Sequence, residues 1–240
     1  QAEDGIRDSV ASRGLGDVYK RQKYNIRILD MKRFLFVLSL LLSFSVNAVD
    51  PKPGINFKKT KEEIATDSPG KIEVVEMFWY GCIHCYKIDP YLDEWADNLP
   101  EDVVFKKVPA VPRKNWVPMA KAYYALETLG LDKKLHEKLF DAIHKTKTVD
   151  VGSEQSAINW IAVTSKKDIK DVEAAFKTFS MNAKISNSYK MFRAAGATGV
   201  PAIIIDGKYL TSSTMAGGEK NTIELLDYII DNVRNDKAKN

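Results

Sequence analysis

The 240-residue chain holds two cysteines, Cys82 and Cys85, both inside "VVEMFWYGCIHCYKIDPYL" from Val74 to Leu92. Two thiols one helical turn apart suit three kinds of chemistry: metal ligation, a structural crosslink, or thiol–disulfide exchange. Structural zinc asks for four ligands at set spacing. Here one cysteine pair stands with three histidines, His84, His136 and His144, and the last two fall in a helical pattern where packing or solvation accounts for them. Copper held by Cys82, Cys85 and a remote His or Met is the metal alternative. A crosslink between these positions closes a very short loop, and a disulfide stabilises little that way.

The surroundings fit exchange better. Cys82 follows an apolar strand at the expected first turn of a helix, where unpaired backbone N–H groups and the helix dipole favour an anion. Such a position lowers a thiol's pKa and exposes the nucleophilic thiolate. Cys85 is expected to face inward as the resolving thiol, and His84 to add a positive or hydrogen-bonding contribution beside Cys82.

The elements that must position this pair are legible. "IEVVEMFWY" (Ile72–Tyr80) is a nearly continuous β-branched and aromatic run, which reads as a buried strand that Gly81 ends. A helix is expected from Cys82 to about Asn98, with Ile88, Tyr91, Leu92 and Trp95 on one face and a kink at Pro90. Asp102–Val111 follows as a second strand, so a parallel βαβ unit is predicted. "INFKKTK" reads as a short edge strand ahead of it. Helical patterns occupy the next stretch, with Ser153 as a cap candidate and one run continuing from Asp168 to Gly196. "VPAIIIDGKYLTS" is two apolar runs joined by Asp206-Gly207, a strong hairpin signal, and a last amphipathic helix covers about Asn221–Asn235. The expected class is α/β.

The N-terminus is of another kind. "MKRFLFVLSLLLSFSVNAVDPKPG" from Met31 has two cations, an apolar run and a small residue, Ala48, before a polar segment. A signal peptide over residues 31–48, cleaved after Ala48, is expected. The alternative, a membrane anchor, needs roughly 20 apolar residues. Residues 1–30 show no sustained amphipathic period and read as read-through upstream of Met31 or an artefact. The formal net charge of +4 lies mostly in this region, since residues 49–240 hold 28 Lys and Arg against 27 Asp and Glu. No basic run is interleaved with aromatics, so no nucleic-acid surface is expected. Export places the cysteines where a disulfide persists.

Taken together, "EMFWYGCIHCY" and "GVPAIIIDGKY" resemble the DsbA family of exported thiol:disulfide interchange proteins, and the resemblance runs over residues 49–240. It implies a thioredoxin fold with an inserted helical subdomain at about residues 113–195. It implies that Cys82 is the exposed nucleophile and Cys85 its buried partner. It also implies that Pro201, after Val200, carries a cis peptide bond opposite the cysteines and aligns substrate, although trans is the default for a proline. Glu76 matches a buried acid that moves protons at the resolving cysteine. From the residues alone, an acid in an apolar strand calls for a partner or a raised pKa. Phe78, Trp79 and Tyr80 are expected to pack.

One position departs from the family. Ile83 stands where the family has Pro, adding a backbone N–H and losing a fixed φ. The implied activity is a periplasmic dithiol oxidase that acts on newly exported thiol proteins, is reoxidised by a DsbB-type membrane quinone reductase, works as a monomer, and needs no cofactor or metal. An isomerase or reductase on the same scaffold is the alternative. Isomerases of this kind carry a dimerisation domain, for which Val49–Lys71 is too short.

Overall fold

The computed structural model describes residues 51–239, so the expected signal peptide and the segment before it lie outside the described residues. Among the described residues, five strands form one sheet: β1 (Lys58–Lys59), β2 (Ile72–Phe78), β3 (Val103–Pro109), β4 (Ala202–Ile205) and β5 (Tyr209–Thr211), in the order β1-β5-β4-β2-β3. β2 and β3 pair in parallel, and every other pairing is antiparallel. The helix between β2 and β3, α1 (Ile83–Ala96), is the crossover the strand–helix–strand order demanded. The predicted edge strand shrinks to two residues, which pair with β5.

All seven residues of β2 are buried, as a strand flanked on both sides and covered on both faces must be. Ile72 and Val74 face α1 and the long C-terminal helix α8 (Glu219–Lys237), meeting Ile88, Leu92, Leu226 and Ile229. Val75 and Met77 point the other way and meet Phe192 and Ala195. Each such side chain contributes about 1.5–3 kcal/mol by leaving water. Because side chains alternate, Glu76 is locked to the same face as Val74, directly above α1.

Between β3 and β4 lie a short 3-10 turn (Lys114–Trp116) and five helices: α2 (Val117–Thr128), α3 (Asp132–His144), α4 (Glu154–Ser165), α5 (Ile169–Phe176) and α6 (Met181–Ala195). Their core, with Leu126, Leu139, Ile161 and Phe176, is continuous with Phe78, Tyr80 and Cys85. The single run expected from Asp168 to Gly196 is in fact two helices. Val172, Ala175 and Phe176 fill the core, and the chain then turns with Met181 N–H donating to Thr178 O, leaving Phe179 fully in water. Periodicity could not register that turn, because Phe179 continues the apolar spacing.

A second difference concerns α1, whose buried face is Cys85, Ile88, Asp89 and Leu92. Tyr91, expected inside, is 39% exposed. Asp89, an acid that the apolar pattern left off this face, is buried there beside Ile88 and Leu92. Pro90 lies within α1, and the helix runs on to Ala96. The hairpin forms as expected, with Asp206 and Gly207 at the left-handed φ of 51° and 66° in a turn closed by Lys208 N–H to Ile205 O, although the register leaves three residues between the paired Ile205 and Tyr209. A short helix, α7 (Ser213–Ala216), links β5 to α8.

Candidate active site

β2 ends at Phe78, and a sharp connection through Trp79, Tyr80 and Gly81 delivers the chain to α1. Trp79 lies stacked on Trp116 with ring centres 4.3 Å apart. A Cβ at Gly81 would stand 2.5 Å from the Trp79 ring, so only glycine allows the indole to cover this connection. Cys82 is then not in the first turn of the helix but its N-cap, with extended backbone at φ −90° and ψ 116°. That conformation turns Sγ back over the helix end, where it accepts from the Cys85 N–H at 3.4 Å. Caps of this sort answer one of the unpaired donors of a helix start, and a sulfur anion answers it best.

The electrostatics follow. The Cys82 thiol is lowered to about 6, chiefly by the Cys85 side chain, against burial, with help from the amides of Cys85 and His84 and the charge of His84. The amide that Ile83 adds is not among these principal groups, and its side chain stands 44% exposed at the helix start. Cys85 is fully buried, and burial, followed by the Cys82 sulfur, pushes its thiol well above the ordinary range. Both cysteines carry free thiols. The pair is therefore asymmetric: one accessible, acidic sulfur beside one shielded, reluctant one.

Val200 and Pro201, at 118 residues' separation, close the site from the other side. Cys82 Sγ donates to Val200 O at 3.2 Å, and the Val200–Pro201 bond is cis. A groove of about 320 Å³ opens beside them, lined by His84, Thr198, Val200, Pro201, Thr211 and Thr214. Thus Cys82, Ile83, His84, Val200 and Pro201 meet at one surface, while Glu76 lies behind it.

Glu76 is 1% exposed and, among the described residues, neither carboxylate oxygen has a hydrogen-bond partner. Burial raises its pKa to about 8, opposed by the Lys107 cation and reinforced by Asp89, Asp93 and Cys82. Its charge in turn adds to the rise at Cys85. Lys107, directly opposite on β3, donates instead to Asp89 Oδ1 and Asp93 Oδ1, each at 2.6 Å.

Sequence reading did not reach the groups behind the cysteines. Asp89 is 2% exposed and also meets His136 Nε2 at 3.0 Å, while His136 Nδ1 meets the Tyr80 hydroxyl at 2.7 Å. His144 Nε2 donates to Tyr80 O at 2.7 Å and its ring stacks on Tyr86. Asp89 was findable: it lies four residues after Cys85, an acid in the apolar stripe of a helix. The two histidines carried no such signal, because their partners are more than forty residues away.

The family model described as a DSBA-like thioredoxin domain matches residues 87–229. The thiol:disulfide interchange protein DsbA of Azotobacter vinelandii is 35% identical over 190 residues, covering 79% of this chain and 88% of its own. The chain belongs to the DsbA-like thioredoxin family. Burkholderia cepacia DsbA is 31% identical, with 86% of this chain and 100% of that protein covered. The crystal structure of Pseudomonas aeruginosa DsbA superposes with a TM-score of 0.74 at 32% identity, covering 80% of this chain and 99% of that one. Like the DsbA proteins it matches, the chain is a thiol:disulfide oxidoreductase with a thioredoxin fold.

Proposed function

We propose that the protein is a periplasmic dithiol oxidase that donates a Cys82–Cys85 disulfide to newly exported proteins. The observation that carries this reading is the capped Cys82 sulfur, lowered to about 6 and held over the α1 N-terminus. A site that stabilises the thiolate stabilises the reduced pair, and a protein more stable when reduced gives its disulfide away.

The steps use the groups described. A substrate thiolate attacks Cys82 Sγ of the disulfide, the S–S bond breaks, and Cys85 leaves as a thiolate. Glu76, protonated at neutral pH, supplies the proton that the buried Cys85 sulfur requires. The substrate's second thiolate attacks its own mixed-disulfide sulfur, and Cys82 departs as the stabilised thiolate. Substrate leaves oxidised and the cysteines are left reduced. Val200 and Pro201 border the groove where the extended substrate chain lies, and Ile83 offers it apolar contact.

Reoxidation by a DsbB-type membrane quinone reductase completes the cycle, with the protein acting as a monomer. Residues 31–48 act as a signal peptide cut after Ala48.

The reduction potential of residues 49–240, set by equilibration with glutathione, tests the reading. A value near about −120 mV, the one known for DsbA oxidants, supports it. A value near about −270 mV means a thioredoxin-like reductant and removes it.

A further inference from the structure

Lys107 makes an unexpected choice. The parallel register places it beside Glu76, with both side chains on the α1 face of the sheet, and a buried cation there would ordinarily take the nearest carboxylate. Its Nζ instead goes to Asp89 and Asp93 on α1, and among the described residues both Glu76 oxygens stay without a donor. What distinguishes Asp89 is a second donor. His136, on α3 in the helical block, is 6% exposed and reaches Asp89 Oδ1 from Nε2. A carboxylate only accepts, so Nε2 carries the proton and Nδ1 receives the Tyr80 hydroxyl. Burial holds the imidazole neutral, and its two hydrogen bonds fix both tautomer and orientation.

We propose that His136 is a positioning residue of the dithiol reaction: by holding Asp89 as the ionised partner of Lys107, it leaves Glu76 to keep and deliver a proton. Two hydrogen bonds to the charged form make Asp89 the stable anion of the pair, and one cation cannot neutralise two separated carboxylates in a dry interior. With Lys107 committed, Glu76 is best accommodated as the acid. Tyr80 extends the arrangement to the connection that leads into Cys82. The helical block thereby reaches the chemistry through α3, without touching either sulfur by way of His136.

The groups that face this cluster set the expected response; besides those at Glu76 and His136, Asp132 and Glu127 act on the Tyr80 hydroxyl. Around Glu76 these are Lys107 from β3, Asp89 and Asp93 from α1, and the two thiols; β4 offers only Ile203. Around His136 they are Tyr80, Asp89, Asp93 and Lys107, with the Tyr123 ring of α2 packed edge-on. Loss of the Nε2 donor disfavours the Asp89 anion, releases Lys107 toward Glu76, and lets Glu76 ionise at lower pH.

The proposal rests on the proton role of Glu76, and its test is independent of any oxidase assay. The probe is carbon-detected NMR titration of the Glu76 and Asp89 carboxyls in the reduced protein. The wild type should show Glu76 titrating at about 8 and Asp89 ionising below the ordinary carboxylate range. His136→Phe should lower the Glu76 midpoint by about one pH unit or more, and His136→Gln, which retains an N–H donor, should restore it. A folded His136→Phe variant with an unmoved Glu76 midpoint overturns the proposal. If that variant does not fold, the wild-type titration decides: Asp89 holding the proton while Glu76 is ionised overturns it equally. A weakly oxidising potential would remove the oxidase reading and leave these midpoints as they are.

Discussion

Cys82 and Cys85 are chemically identical residues three positions apart, and the fold makes them opposites. Cys82 is partly exposed and lowered to about 6, while Cys85 is fully buried and pushed up. Iodoacetamide should therefore modify the reduced protein at Cys82 alone, with a rate midpoint near about 6. A midpoint near that of a free thiol would contradict the capped geometry. His84→Gln should move the midpoint upward, since the charge of His84 supports the thiolate as well as its amide.

At the scale of elements, the site depends on how chain segments end. α1 begins at a cysteine cap, and the β4–β5 hairpin turns at Asp206-Gly207 under the loop that carries Ile64. Gly207 sits at φ +66° and a Cβ there would lie 1.9 Å from Ile64 O. Gly207→Ala should thus destabilise by about 1–3 kcal/mol in urea unfolding, through backbone displacement as well as φ. Ser153→Ala removes only one cap bond, Ser156 N–H to Ser153 Oγ at 3.1 Å, and should cost about 1 kcal/mol. If the two substitutions proved equal, close packing around the hairpin would not be the governing effect.

For the whole molecule, Cys82 and Glu76 pull stability in opposite directions with pH. Cys82 is lowered, so the reduced fold gains stability as pH rises from about 6 toward the ordinary thiol value of 9.0 and loses it on acidification through about 6. Glu76 is raised, so the fold holds a proton the unfolded chain has released, and stability declines between 4.5 and about 8. Glu76→Gln should abolish that decline and leave the Cys82 rise visible in reduced protein. Reduced protein should also melt above oxidised protein, by a margin that widens from pH 6 to 8. An oxidised form that melts higher would count against the capped thiolate as the dominant effect.

The cysteine pair, the strand ahead of it, the crossover helix, the Asp-Gly hairpin and the suspect acid Glu76 were all legible in the sequence. Each is written in local signals: spacing, side-chain period, a turn dipeptide, a charge in an apolar run. The N-cap placement of Cys82, the turn that exposes Phe179, the burial of Asp89 and the exposure of Tyr91 were decided by packing, which local periodicity does not record. The tertiary structure alone brought Val200 to the Cys82 sulfur and His136 to Asp89, across 118 and 47 residues. Those contacts exist because the sheet order sets β4 next to β2 and because α3 packs onto the strand end, and neither adjacency leaves a trace in neighbouring residues. The chain's sequence thus offered the candidate reacting groups, while the fold decided which of them is exposed and acidic and which is buried and holds its proton.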